Sequence, residues 1–390
     1  QAIALVASAS TTTGMTVLLL LRGADGIGTK RISVMTEVCG WTPDKVLLGT
    51  TGHSSQPGLA ADSQLNSTEV ITKRLSEYRD LTYCAATGNR WWGVQSRLAR
   101  RIFTSKIDLK SELPEGPLTV DESLNGAVDP SLSDDDEWLL FASTKPSGEG
   151  ERNIARNLRS GSQNIVSEAK SPSAAGLPKV ASSAPVVLTS GTAGHGLLLR
   201  LPSLQPIKEK FEVETIPWDI SSDAVIFSAS PTIPRAIRAQ DLGTGAISTT
   251  LVDPKQQLYL ADLSSDERWL VFVAEETSGG LPVLYAAPYR RGRTTPTREW
   301  IRLGKGDYPH WSASGRVVYF LDESERVPRL RAQRVDGISK RPIGEPITLQ
   351  IFHGEWTPGD LVPGTFRIAA SRRRIMVTLG QQETRLFEGR

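Results

Sequence analysis

Leu263-Ser264-Ser265-Asp266-Glu267-Arg268-Trp269-Leu270-Val271-Phe272 is a small polar turn that runs directly into a dense apolar stretch, and the chain repeats it. Ser133-Asp134-Asp135-Asp136-Glu137-Trp138-Leu139-Leu140-Phe141 has the same order, as does Trp311-Ser312-Ala313-Ser314-Gly315-Arg316-Val317-Val318-Tyr319-Phe320. Gly40-Trp41-Thr42-Pro43-Asp44-Lys45-Val46-Leu47-Leu48 is a further copy. Fainter ones are Ile220-Ser221-Ser222-Asp223-Ala224-Val225-Ile226-Phe227 and Ser371-Arg372-Arg373-Arg374-Ile375-Met376-Val377. Repetition of one unit decides architecture before any single residue does, because a unit that cannot bury its own faces must stack on its neighbours.

Aligned on the last large apolar residue of each run, the anchors are Val6, Leu48, Cys84, Phe141, Leu188, Phe227, Phe272, Phe320 and Val377. Their mean spacing is roughly 46 residues, within the 40 to 50 usual for one blade of a β-propeller. Several anchors are followed by a polar turn, a second β-rich run and a Gly-containing hairpin such as Asp336-Gly337, where Gly accepts positive φ without a Cβ clash. The expectation is an all-β fold: a single β-propeller of seven or eight blades, each a four-stranded antiparallel sheet, with residues 1–390 as one domain. Nine anchors exceed that number, so either one copy is false or the chain ends share a closing blade. Trp138, Trp269, Phe141, Phe227, Phe272 and Phe320 are expected to pack between blades. The small-residue stretches 160–184 and 57–67 read as loops between strands.

Composition agrees. Of 390 residues 39% are hydrophobic, with 34 Gly and 24 Pro, which suits many short strands joined by tight turns. Lys and Arg total 45 against 43 Asp and Glu, so no global field draws in nucleic acid or an anionic membrane. The basic runs 97–101, Arg290-Arg291-Gly292-Arg293 and Arg372-Arg373-Arg374 are interspersed with acids, and nucleic-acid binding is not expected. Cys39 and Cys84 are too few for a disulfide framework or a cysteine zinc site. Residues 2–21 are long enough for a membrane span, but Ser8, Ser10, Thr11, Thr12, Thr13 and Gly14 interrupt them; two strands across a Ser/Thr turn fit better than a span or a leader remnant.

The phrases at Trp41, Leu263 to Phe272 and Pro309 to Arg316 resemble the repeat of TolB-type, WD-like β-propellers, and the resemblance extends from about Val6 to Val377. It departs in the Ser133-Asp134-Asp135-Asp136 turn, which lacks Pro and Gly, and at Leu188. Similar propellers occur as periplasmic TolB, as sensor regions of bacterial Ser/Thr kinases and as the propeller half of prolyl oligopeptidase-type peptidases. The resemblance implies a protein or peptide partner, and a location in the bacterial periplasm or cell envelope.

Catalytic motifs are weak. Ser160-Gly161-Ser162 and the Gly-rich run Ser190 to Gly196 do not sit in a strand-elbow-helix context, and no length remains for a hydrolase domain. His53, His195, His310 and His353 fall in different repeats without metal-ligand spacing, so they read as solvated loop histidines and no metal or cofactor is expected. Asp134-Asp135-Asp136-Glu137, Asp266-Glu267, Glu275-Glu276 and Asp322-Glu323-Ser324-Glu325 read as solvated turns, since no calcium-loop pattern is present. Arg290, Arg291 and Arg293 form a candidate rim patch for an acidic partner, and His310 is a further candidate binding residue. The expected function is a non-enzymatic, monomeric binding module. The alternative is a propeller enzyme, a metal-dependent polysaccharide lyase or glycoside hydrolase, which requires the histidines or a carboxylate pair to converge at the channel mouth.

Overall fold

The computed structural model describes side chains from residue 99 to 381, apart from 125, 144–150, 169–177, 182–185, 190–195, 210, 213–216, 231, 233–234, 277–279, 326 and 359–365; outside those limits it describes strands alone. Two compact units result, Gln1–Ala99 with Gln382–Arg390, and Arg100–Gln381. The first unit holds an antiparallel meander of Val6–Thr11, Gly14–Gly23 and Gly26–Ile32. It also holds a four-stranded sheet of Glu37–Trp41, Leu47–Thr50, Leu59–Ala61 and Thr68–Val70. Residues 2–21 thus carry strands, and among the described residues no helix is long and apolar enough to cross a membrane.

The second unit is built from six sheets. Blade 1 comprises Ala127–Leu132, Trp138–Thr144, Glu151–Asn157 and Gln163–Ala169. Blade 2 comprises Lys179–Val180, Val186–Ser190, His195–Arg200 and Gln205–Glu212. Pro217–Ile220, Val225–Ala229, Ile237–Asp241 and Ile247–Leu251 form blade 3. Gln256–Leu263, Trp269–Glu276, Val283–Pro288 and Ile301–Lys305 form blade 4. Blade 5 is Asp307–Trp311, Val317–Asp322, Arg329–Arg334 and Ile347–Ile351. Blade 6 joins Ile368–Ala370 and Arg374–Gly389 to Arg90–Lys106 and Thr119–Val120, so late and early strands share one sheet. The first strand of each blade touches the first strand of the next, and that of blade 6 touches that of blade 1, which closes a ring around a central channel.

The ring therefore has six blades, not seven or eight. The anchors Phe141, Leu188, Phe227, Phe272, Phe320 and Val377 lie on the second strands of blades 1 to 6, whereas the Val6 and Leu48 copies fall in the other unit, and the Cys84 copy lies on Arg79–Thr87, which pairs with the early part of Arg90–Lys106 and founds no blade of its own. Stretch 160–184 is also more than a loop: it supplies the outer strand of blade 1 and the inner strand of blade 2, and a solvent-facing outer strand needs no apolar pattern.

Second strands carry apolar residues at consecutive positions, as in Leu139-Leu140-Phe141 and Leu270-Val271-Phe272, because both of their faces are covered. Phe227 points into the cluster between blades 3 and 4, while its neighbour Ile226 joins the cluster between blades 2 and 3. Phe272 and Val271 divide in the same way across blade 4, and Tyr319 and Phe320 across blade 5. Six apolar clusters result, one at each interface between blades. Full burial of each such side chain is worth about 1.5–3 kcal/mol. Trp138, Phe141, Phe227, Phe272 and Phe320 are buried as expected, and Trp269 is half-buried.

The repeated turn has a physical cause in its serine. In blades 1, 3, 4 and 5 the Oγ of Ser133, Ser221, Ser264 or Ser312 accepts the N–H that opens the second strand, at 2.9, 2.9, 3.0 and 3.1 Å. In the first three, the same hydroxyl donates to the aspartate two residues on, at 2.6 Å. The fourth turn residue takes positive φ: 62° at Asp136, 62° at Ala224, 55° at Glu267 and 67° at Gly315. Only the last is glycine, so the other three carry left-handed strain. Ala224→Gly is expected to raise stability by about 0.5 kcal/mol in chemical denaturation. Gly315→Ala should lower it by about 1–2 kcal/mol, since its Cβ would also lie 3.1 Å from Lys340 Nζ.

Candidate functional site: the charged central channel

Inner strands bend at a common place. The pairing of first and second strands slips between Val128 and Ser131, Pro217 and Asp219, Tyr259 and Asp262, and Asp307 and His310. Such bulges insert an unpaired residue and re-aim its neighbours; Asp129, Leu260 and Tyr308 inside them take φ of 55°, 52° and 51°. The re-aimed residue stands two positions before the turn serine: Ser131, Asp219, Asp262 and His310, with Lys179 at the matching place in blade 2. Asp129 and Arg367 stand two residues earlier in blades 1 and 6.

The channel wall includes Lys179, Trp218, Asp262, His310, Phe366 and Arg367, around a free volume of about 30 Å³. Lys179, Asp262, His310 and Arg367 line this space from blades 2, 4, 5 and 6, and Asp129 and Asp219 of blades 1 and 3 lie near enough to act on Lys179 electrostatically. Their partners are mostly main chain. Asp219 accepts from the N–H of Ile220 at 2.8 Å and of Leu263, in the next blade, at 2.6 Å. Asp262 repeats the arrangement one blade on, taking the Trp311 N–H at 2.8 Å and meeting His310 Nδ1 at 3.1 Å. Ser131 does the same in blade 1, accepting from Val180 N–H at 3.1 Å.

Burial sets the protonation of these groups. Desolvation, with the like charge of Asp262 added, pushes Asp219 up to about 7 against the attraction of Lys179. Burial likewise raises Asp134 and Asp307 to about 6, and raises Asp129 against the pull of Arg367 and Arg100. Lys179 and Arg367 are lowered by the same desolvation. For His310, burial favours the neutral ring, but the Asp262 charge and hydrogen bond outweigh it and its pKa rises.

Asp219, Asp134, Asp307, Asp129 and His310 hold their protons to higher pH when folded than when unfolded. Between about pH 4 and 7 the folded ring therefore binds more protons, and its stability falls as pH rises through that window. The His310 share is fully present below its unfolded pKa and is lost as pH rises through the folded one. Denaturation midpoints measured at pH 5 and pH 8 should differ by about 2–4 kcal/mol in favour of pH 5, given ~1.4 kcal/mol per unit and partial compensation within the cluster. A higher stability at pH 8 would contradict this account of the channel.

His310 is thus an inner-strand residue with 15% of its side chain exposed, not a solvated loop histidine. A repeat scan reads its position as variable, and variability beside a fixed turn is how a channel-facing site looks in one sequence. His353 is exposed beyond the outer strand of the same blade. His53 and the side chain of His195 lie outside the described residues. Among the described residues, no group of three His, Cys, Asp or Glu is placed to hold a metal. On the rim, Arg291 bridges Asp223 and Asp241 of blade 3, the latter at 2.6 Å, and that bond lowers Asp241 to about 2. Arg290 pairs with Glu299 at 2.6 Å. Arg293 is exposed, with its guanidinium unpaired among the described residues.

No family model matches the sequence, and a comparison with curated proteins finds no relative. Solved structures are similar in fold. TolB from Acinetobacter baumannii matches with a TM-score of 0.46 and 12% identity, over 87% of this chain and 81% of that one. A putative TolB from Agrobacterium tumefaciens matches with a TM-score of 0.45 and 17% identity, over 74% and 99%. An oligogalacturonate lyase from Vibrio parahaemolyticus matches with a TM-score of 0.40 and 14% identity, over 87% and 98%.

Proposed function

We propose that this chain is a non-enzymatic binding propeller of the bacterial cell envelope that takes a protein or peptide partner at the mouth of its central channel. The envelope location follows the repeat resemblance. The observation that carries the binding role is the axial charge cluster. Its acids are held by main-chain N–H groups of the next blade, so the site is rigid, while its free volume of about 30 Å³ admits a head group and not a whole substrate. Enclosed small-molecule sites usually offer about 300–1,000 Å³. A protruding segment inserted at the mouth fits better, with Arg293 on the rim as a second contact for an acidic partner.

Partner capture from the native host by the immobilised chain tests this reading. A protein retained by the parent chain and released by Lys179→Gln supports it; one retained equally by both would place the contact elsewhere. The enzyme alternative has one observation in its favour, the His310 and Asp262 pair at the axis, in which the carboxylate could orient an imidazole base. Cleavage of an acidic polysaccharide that is abolished by His310→Ala, with stoichiometric metal in the purified chain, would favour it over binding.

A further inference from the structure

Acids and bases in the channel are not used alike. The carboxylates of Asp219 and Asp262 each take two hydrogen bonds from the protein. Lys179 is half-buried in the channel wall, and its ammonium makes no hydrogen bond or ion pair among the described residues. Arg367 is half-buried as well, and among the described residues it spends only Nη1, on the Phe366 carbonyl at 3.0 Å. The two cations line the same small space: the Arg367 charge lowers Lys179, while Asp219, Asp262 and Asp129 attract it from beyond ion-pair distance. A half-buried ammonium without an acceptor, and a guanidinium with one, are left short of partners, and two like charges across one cavity add to the cost. Part of the wall around them is apolar, with Trp218, Leu260, Phe366 and Ile368, while Asp262 and His310 line the rest, each engaged with the other.

We infer that the channel is a carboxylate site in which Lys179 and Arg367 hold the two oxygens and the apolar wall receives the carbon attached to them. About 30 Å³ is the space of such a head group, and a guanidinium with an ammonium is a common donor set for it. Asp129 does not compete strongly. Its Oδ1 is buried without a partner, and burial pushes its carboxyl toward the neutral form. This inference rests on the reading of the chain as a peptide-binding propeller and names the group bound. The carboxylate has two possible sources, a free organic acid or an acidic side chain or C-terminus of a peptide.

Calorimetric titration of the full chain separates them, with N-acetylphenylalanine, its amide, and an amidated hexapeptide carrying one central Glu or Gln as probes. The acid form of at least one pair should bind ten-fold or more tightly than its neutral counterpart. Lys179→Met and Arg367→Gln should each weaken that binding at least ten-fold, and Lys179→Arg should restore most of it. Lys179→Met should also leave the unliganded melting temperature unchanged or higher, because an unpaired, half-buried charge is replaced by an apolar chain of similar length. A lower melting temperature with unchanged binding would assign Lys179 a purely structural pairing and overturn the inference. Hexapeptides that bind alike with Glu or Gln, and alike to Lys179→Met, would overturn it while leaving peptide binding in place. Binding of N-acetylphenylalanine alone, lost in both variants, would uphold the carboxylate site and remove the peptide partner.

Discussion

Asp136→Ala should unfold the ring about 10 °C below the parent chain. Asp136 lies in the first turn of blade 1, yet it is 8% exposed, and its carboxylate reaches the second strand of blade 6. Oδ1 accepts from Ser371 Oγ and from Arg374 Nε, both at 2.6 Å, and Oδ2 from Arg374 Nη2 at 2.8 Å. The two-pronged contact, together with the Arg372 N–H donating to the Asp134 carbonyl at 3.0 Å, joins the blades that come from opposite ends of the ring's sequence. Removing one side of a buried pair costs about 3–5 kcal/mol, since the other charge stays behind without a partner. At about 2–4 °C per kcal/mol for a domain of this size class, the melting temperature drops by about 10 °C. Asp135→Ala is the control: that exposed aspartate serves only its own turn, through Ser133 Oγ at 2.6 Å and the Glu137 N–H at 2.9 Å, and should cost under about 1 kcal/mol. Equal losses from the two substitutions, in thermal or urea unfolding, would show that blade 6 is not latched through Asp136.

That latch also marks the limit of what the sequence discloses. Repeat spacing and the Ser-x-Asp turn are local, so the second strands, the turn and the interface aromatics could all be read from residues near one another. Asp134-Asp135-Asp136 looks like one solvated acidic turn, because nothing local distinguishes the carboxylate that meets Arg374 from two that do not. Blade number failed for a related reason. Leu48 and Phe141 belong to equally good repeats, and only long-range contact assigns one to the ring and the other to a separate unit. Within the channel, the signal was present at a fixed offset. Asp219, Asp262 and His310 each stand two residues before a turn serine, and Lys179 stands two before Ala181, the matching residue of a copy that has lost its serine. Reading that column, and not the histidines as a class, would have singled out the axial residues. Arg367 and Asp129 were beyond reach, since their place depends on strand ends and bulges that composition does not reveal.

Asp262→Ala should cost about 3–5 kcal/mol at pH 6 and less at pH 8. The carboxylate is 6% exposed and joins blade 4 to blade 5 through the Trp311 N–H and the His310 ring. Without it a buried N–H loses its acceptor, and a buried imidazole loses the charge that keeps it protonated. Burial is then the larger influence on His310, so its pKa should move from above the ordinary histidine value to below it. The substitution also removes the like charge beside Asp219, whose own pKa, about 7 in the parent chain, should fall. Both changes make the folded variant bind fewer protons near neutrality than the parent does. Stability should consequently depend less on pH between 5 and 8 in the variant than in the parent, and the gap between the two should narrow as pH rises. Imidazole proton resonances of His310 followed through that range give the direct measurement. An unchanged His310 midpoint in Asp262→Ala would mean that the charge holding its proton comes from elsewhere in the ring, with Asp219 the next group to substitute.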